Sequence, residues 1–308
     1  MRLLVTGGAG YIGAVVAAVL LERGHQVTVL DDLSTGWRDA VPPGARFVRG
    51  SIAEAAALLR AAGAQDVDAV LHFAAKSLVA ESMSDPARYW SANVGGSLAL
   101  LDAMRELGIG RIVFSSTASV YGDADQRPIR EDAPTAPAST YGATKLAVDM
   151  ALTSYARAYG LAAVSLRYFN VAGAYGRLGE RHAVETHLIP LALRAAAGEQ
   201  AALSVYGEDY PTPDGTCIRD YIHVADLAEA HVLALGAAEP GEHMVLNLGS
   251  GAGHSVREVI DAVERTTGLL VPHQVCGRRA GDPAVLIASG EAARQTLGWA
   301  PARTLADM

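Results

Sequence analysis

Cysteine is nearly absent from this chain of 308 residues. The two present, Cys217 and Cys276, are far apart and have no ligand cluster beside them, which speaks against a disulfide framework and against a cysteine zinc site. Positive charge is also short. Twenty-five lysines and arginines face 33 acidic residues, so at a formal charge of −8 the chain has no long-range attraction for nucleic acid or anionic lipid. An anionic ligand must then be held by a local basic site. Long hydrophobic runs are missing too. Leu3 to Val5 runs straight into glycines and Ala14 to Leu21 is too short to span a bilayer, so neither a signal peptide nor an anchor is expected, and the setting is read as cytoplasmic. Repeats and low-complexity segments are lacking. What remains, half apolar and 19% charged, is an ordinary globular composition long enough for a sizeable core.

The first half alternates short apolar, β-branched runs with alanine-rich stretches, the pattern of βαβ units and a parallel sheet. Val27–Leu30, Ala69–Phe73, Arg111–Ser115 and Ala162–Leu166 read as strands; Ile12–Arg23, Ala53–Ala62, Tyr89–Leu107 and a long stretch from Tyr141 read as helices. After Asn170 glycine and proline are scattered, and a second lobe of loops and short helices is expected. Ser255 with Glu258 forms a capping-box pattern ahead of Val256, Val259, Ile260 and Val263. The division drawn is residues 1–170, with later segments returning to them, and a smaller lobe over 171–308.

Leu3 to Gly13 reads as a strand, a glycine turn and a helix start, with Gly7, Gly10 and Gly13 at the diagnostic places. Residues without a β-carbon let a pyrophosphate approach the helix N-terminus, where unpaired N–H groups and the macrodipole favour an anion. The following strand ends in Asp31, placed to accept hydrogen bonds from a ribose diol and to repel a 2′-phosphate, so NAD is expected over NADP. The fold class is therefore α/β, a doubly wound parallel sheet of Rossmann type with a smaller C-terminal substrate-binding lobe.

Tyr141 and Lys145 put a phenol and an ammonium one helical turn apart. A phenol with an ordinary pKa of ~10 is a poor base at neutral pH, and a neighbouring cation is expected to lower it. Alone, the pair is more often a surface accident. The serine-rich strand end Phe114–Gly122 upstream changes the balance, because Thr117 falls outside the carboxyl end of a strand, where ligands bind in such sheets.

The glycine turn, Asp31, the Ser115-Ser116-Thr117 strand end and Tyr141/Lys145 together resemble the extended short-chain dehydrogenase/reductase family. Within it the chain is similar over nearly its whole length to the UDP-glucose 4-epimerases, through Thr6–Gly13, His72–Ser82, Phe114–Gly122, Arg167–Gly173, Tyr206–Val224 and Arg278–Asp282; Arg219–Val224 is the most distinctive of these segments. The resemblance implies an NAD-dependent isomerase that oxidises C4 of a UDP-sugar, lets the 4-keto intermediate rotate, and reduces it again. It implies Tyr141, Lys145 and Thr117 as catalytic residues. It places NAD against Gly7, Gly10, Tyr11, Ile12, Gly13, Asp31, Asp32, Leu33, Ser34, Thr35, Gly36, Ser51, Ile52, Phe73, Ala74, Ala75, Lys76, Ser77, Asn93, Ser115, Tyr141, Lys145 and Phe169. The UDP-sugar falls to Thr117, Tyr141, Asn170, His187, Leu188, Ser204, Val205, Tyr206, Arg219 and the run Arg279 to Asp282.

Ser51 stands where many relatives carry Asp against the adenine, and relatives usually continue with a helix beyond Met308. A homodimer is implied, with the helices near Tyr89–Leu107 and Tyr141–Tyr159 as its contact. Other readings stay open: another UDP-sugar as substrate, a 4,6-dehydratase, which Ala118 and Ser119 disfavour by standing where that branch places carboxylates, or a non-catalytic NAD sensor. Leu286 falls near a position limiting the C2 substituent. No acidic partner is seen for His182 and His187, so no metal is expected.

Overall fold

Leu3, Leu4 and Val5 are all but inaccessible to solvent, so the strand they form, β1 (Arg2–Thr6), is covered on both faces, as its unbroken apolar run requires. In the computed structural model, which describes residues 1–124, 128–182, 184–279 and 282–308, this strand lies near the middle of a parallel sheet. Its neighbours are β2 (Gln26–Asp31), β3 (Arg46–Arg49), β4 (Ala69–His72), β5 (Arg111–Thr117) and β6 (Ala162–Tyr168), in the order 3-2-1-4-5-6. The chain then makes β7 (Asn170–Ala172), β8 (Leu203–Tyr206) and β9 (Ile218–His223) away from that sheet. It returns to lay β10 (His243–Leu248) beside β6 as a seventh strand, and leaves again for β11 (Gly253–Ser255), β12 (His273–Cys276) and β13 (Val285–Leu286).

Helices cover both faces. They are α1 (Tyr11–Glu22), α2 (Ala55–Ala61), α3 (Val79–Ser84), α4 (Pro86–Tyr89), α5 (Gly96–Glu106), α6 (Thr140–Tyr159), α7 (Leu188–Ala196), α8 (Val224–Ala234), α9 (Val256–Thr267) and α10 (Glu291–Leu297). Alternation along β1 sorts the two cores. Leu3 and Val5 join Val15, Val16 and Leu20 of α1 and Leu227 of α8, whereas Leu4 joins Leu59 of α2, Leu100 and Met104 of α5 and Leu152 of α6. The sheet is thus doubly wound, and strand order reverses between β1 and β4, where ligands of such sheets bind.

Two sequence expectations change. The Tyr89–Leu107 helix is interrupted by a π-helical turn at Trp90–Gly95, a device that recurs at functional sites. The second lobe, expected to be loops and short helices, also contains small sheets: β9 pairs with β7, β11 and β13, and β12 pairs with β8. These strands are two to six residues long, too short for most of them to show a period-2 pattern. The capping box at Ser255 and Glu258 is present and starts α9.

Leu71 in β4 is fully buried in the sheet centre. Leu71→Ala should cost about 2–5 kcal/mol, read as a lower denaturation midpoint with an unchanged m-value.

Candidate functional site

The site begins where β1 ends. Gly7 takes a φ of +71°, and a β-carbon there would lie 2.6 Å from the backbone nitrogen of Ala74, so only glycine passes. A β-carbon on Gly13 would fall 2.3 Å from the Gly7 carbonyl oxygen, which lets α1 pack onto the turn itself. Gly10 sits at the N-cap of α1 and offers no side chain to cap it, leaving the first-turn N–H groups free of intrahelical partners. This cradle is built for an anion. Below it, Thr6 Oγ1 lies 2.7 Å from His72 Nδ1 and His72 Nε2 lies 2.9 Å from Ser97 Oγ, tying β1, β4 and α5 together in the interior. Burial pushes His72 down to about 3, so it stays neutral.

A cleft of about 680 Å³ opens above this turn. Its lining includes Gly7, Gly10, Tyr11, Ile12, Gly13, Asp31, Asp32, Ser34, Thr35, Gly36, Ser51, Ile52, Phe73, Ala74, Ala75, Lys76 and Ser77 from the N-terminal strands, and Ser115, Thr117, Tyr141, Lys145, Phe169, Asn170 and His187 from the far side. Asp31 accepts from the N–H groups of Ala9 (3.0 Å) and Leu33 (2.8 Å), which fixes its carboxylate at the end of β2, and burial raises its pKa. Ser51 accepts from Ala53 N–H at 3.2 Å.

Leu33 and Asn93, both assigned to the cofactor from sequence, do not line the cleft. Leu33 packs into the core with φ +63°. Asn93, in the π-helical turn, accepts from Lys76 N–H (2.7 Å) and donates to Lys76 O and Thr144 Oγ1 (both 3.0 Å). Lys76 Nζ in turn donates to Ser34 Oγ at 3.0 Å. Asn93 therefore couples the loop after β4 to the helix that carries Tyr141.

Ser139 caps α6 through Gly142 N–H, placing Tyr141 in its first turn, and Ser82 Oγ accepts from Tyr141 N–H at 3.1 Å. Thr117 faces the same cleft from the end of β5 and favours the ionised phenol, while its hydroxyl donates to Ser119 Oγ at 3.2 Å. Lys145 Nζ donates to Ser115 O at 2.7 Å and lies 6.0 Å from the Tyr141 ring centre. Sequence reasoning expected the ammonium to make the phenol acidic; in the protein by itself the dominant force is burial. It pushes Tyr141 up to about 12, opposed by Thr117, and pushes Lys145 down to about 7, opposed by Asp149. Beneath Lys145, Arg167 donates twice to Asp149 Oδ2 (3.1 and 2.9 Å) and Ser116 Oγ once (3.2 Å).

The expected nucleotide-sugar residues divide. Asn170 lies in the cleft, with its amide nitrogen already donating to Asp220 O at 3.0 Å. Leu188, Ser204, Val205, Tyr206, Arg219, Arg279 and Asp282 lie outside that lining. Four of them form a separate group: Arg219 is ion-paired with Asp282, and the Arg279 guanidinium stands 3.9 Å over the Tyr206 ring. Ala280 and Gly281 fall outside the described residues. The distinctive Arg219–Val224 run is strand β9, whose Asp220 carboxylate accepts from Ser250, Gly251 and Ala288 and pins the loops around it.

The sequence argument that no carboxylate accompanies His182 and His187 is wrong. Glu180 Oε1 lies 3.1 Å from His182 Nε2 and 2.9 Å from His187 Nδ1, and Glu185 Oε1 lies 2.8 Å from that same Nδ1. Donor atoms of Glu180, His182 and His187 sit within 4.8 Å of one another, close enough to surround a divalent cation. Burial opposes the charge of His187, but the two carboxylates raise it to about 9, while the histidines hold Glu180 down to about 2. The signal was available in the alternation Glu180, His182, Glu185, His187. On the same loop Arg181 reaches across the cleft mouth: its carbonyl accepts from Trp37 Nε1 (3.0 Å), its guanidinium pairs with Asp39 (2.9 Å), and it stacks 4.6 Å over the indole.

The family model described as NAD dependent epimerase/dehydratase family matches residues 3–249. A curated UDP-glucose 4-epimerase of Corynebacterium glutamicum is 57% identical over 99% of this chain and 92% of its own length. Among solved structures, UDP-glucose 4-epimerase from Brucella ovis in complex with NAD superposes with a TM-score of 0.95 at 46% identity, covering 99% of this chain and 95% of that one. The Bifidobacterium longum enzyme in complex with NAD+ and UDP gives 0.93 at 36% identity, covering 100% and 96%.

The ion cluster sets a pH window. His187's contribution is full below its ordinary 6.5 and fades as pH rises through about 9, while Glu180's is full above its ordinary 4.5 and fades as pH falls through about 2. NMR titration of the His187 imidazole should show a midpoint well above 6.5; an ordinary midpoint would remove the carboxylates' hold.

Proposed function

The chain belongs to the NAD dependent epimerase/dehydratase family, and from that premise we propose that it interconverts UDP-glucose and UDP-galactose by oxidising and re-reducing C4 of the hexose. The observation that carries this reading is one cleft with the glycine turn on one wall and Tyr141, beside Thr117 and one helical turn from Lys145, on the other.

The residues present fit NAD. The turn that excludes β-carbons at Gly7 and Gly13 would receive the pyrophosphate on free N–H groups, Asp31 the adenosine ribose, and Lys76, held by Asn93, the nicotinamide side. When bound, NAD supplies the acceptor for the hydrogen and electron pair of C4, and its oxidised ring adds a positive charge beside the phenol. Tyr141 takes the O4 proton and later returns it. Thr117 orients O4 by hydrogen bonding. Lys145, fixed by Ser115 O, would lend positive charge beneath the phenol, and a cation there favours phenolate.

We assign the nucleotide to Arg219, Arg279, Asp282, Tyr206, Ser204 and Val205, with Asn170, His187 and Leu188 nearer the sugar. Guanidinium forks suit a diphosphate and a carboxylate suits a ribose diol. A firm nucleotide grip with few groups on the hexose leaves the 4-keto sugar free to turn over about its diphosphate and be reduced on its other face.

The same reading places the protein in the cytoplasm, where the unpaired Cys217 and Cys276 stay reduced. It also makes the protein a homodimer through α5, α6 and the turn before them, which leave Trp90, Leu98 and Met150 exposed. No helix among the described residues is long and apolar enough to cross a membrane.

Purified protein given UDP-galactose and no second redox substrate should yield UDP-glucose. In Tyr141→Phe, turnover should fall at least ~100-fold with NAD still bound, since only the ionisable hydroxyl is gone; a near-normal rate would end the assignment. Asp31→Ala should retain NAD less well and admit NADP. Cofactor analysis after heat release checks this, and an unchanged preference would free Asp31 from the role.

A further inference from the structure

Asp149 is buried, with its side chain 4% exposed, yet its two oxygens are treated unequally. Oδ2 accepts from Arg167 Nε, Arg167 Nη2 and Ser116 Oγ, while Oδ1 is sealed from solvent with no hydrogen-bond partner among the described residues. An unpartnered carboxylate oxygen in the interior is costly and calls for an explanation. Lys145 has the complementary deficit. It is 2% exposed, and its ammonium makes one hydrogen bond, to Ser115 O, out of three it could donate. The two residues are four apart on α6 and so share a face. Their anchors on β5 are adjacent, Ser115 for the lysine and Ser116 for the aspartate.

We propose that Asp149 is a positioning residue of the reaction: its free carboxylate oxygen supplies the counter-charge that keeps Lys145 an ammonium ion beneath the Tyr141 phenol. Arg167 pairs with the carboxylate on its other side, so the charges alternate from β6 through α6 to the phenol. The other titratable groups facing this line are His72 on β4, Tyr168 on β6, Tyr121 beside Arg167 and His243 on β10. Burial keeps these histidines neutral and raises both phenols, so Asp149 is the anion of the set. Burial lowers Lys145 to about 7 against the raising effect of Asp149, so without the carboxylate it would fall further and lose its charge at neutral pH. The proposal rests on the epimerase reading for its role in turnover and on this structure alone for the electrostatics.

The test exploits a sign. Removing a negative charge by itself makes a nearby phenol more acidic, whereas losing the ammonium makes it less acidic. Tyr141 ionisation is read in the NAD-bound protein as phenolate difference absorbance between each variant and the same variant carrying Tyr141→Phe. Asp149→Asn should move the Tyr141 midpoint to higher pH by about one unit and lower kcat by at least ~10-fold with little change in KM. Asp149→Glu should restore both. A midpoint that is unmoved or shifted down in Asp149→Asn overturns the proposal and leaves Asp149 a structural partner of Arg167. Should the lone arginine prevent folding, Asp149→Asn with Arg167→Met removes the buried pair together and must show the same upward shift. The titration needs no sugar, so a protein that titrates as expected but fails to epimerise UDP-galactose refutes the function and spares this inference.

Discussion

Three consecutive residues at the end of β5 meet successive turns of α6: Thr117 faces the Tyr141 phenol and lowers its pKa, Ser115 O receives the Lys145 ammonium, and Ser116 donates to Asp149. A strand advances about 3.3 Å per residue and a helix turn about 5.4 Å, so the three grips together fix both the rotation and the height of the helix. Slippage in either direction would break all three. The phenol's place in the cleft is therefore a property of the sheet, and burial of the whole assembly turns small changes of charge into large changes of acidity.

The opposite wall is fixed by exclusion. Gly7 and Gly13 are held so close to neighbouring backbone that a single carbon would not fit, and the first-turn N–H groups of α1 beside them have no capping side chain. Asn93 joins the walls. Placed by a π-helical turn, it fastens the loop after β4 and the α6 residue Thr144 with one side-chain amide. The glycine-turn wall and the Tyr141 wall thereby share a rigid strut, the kind of support that holds groups in register.

What could be read from the sequence was local. Gly7–Gly13, Asp31 and the Tyr141/Lys145 spacing obey backbone and helix geometry that needs no knowledge of the rest of the fold, and the cleft includes them all. What could not be read was long-range or competitive. Glu180 and Glu185 meet two histidines in an irregular loop, Trp37 meets Arg181 across the mouth, and Asn93 turns inward to a backbone segment instead of lining the cleft. The direction of the Tyr141 shift was missed because the spacing reveals the lysine but not how thoroughly both groups are buried. The small second-lobe sheets escaped because strands this short carry little pattern.

The seventh strand has a temporal meaning. β10 pairs with β6 from Ala163 to Tyr168, and its Asn247 accepts a hydrogen bond from the Tyr121 hydroxyl and donates to Ile129 O. Until residue 248 has been made, β6 presents a row of unpaired backbone N–H and C=O groups, the kind of edge that invites pairing with a foreign strand. The nascent sheet thus waits, incomplete and adhesive, for a segment made only after β7, α7, β8 and β9.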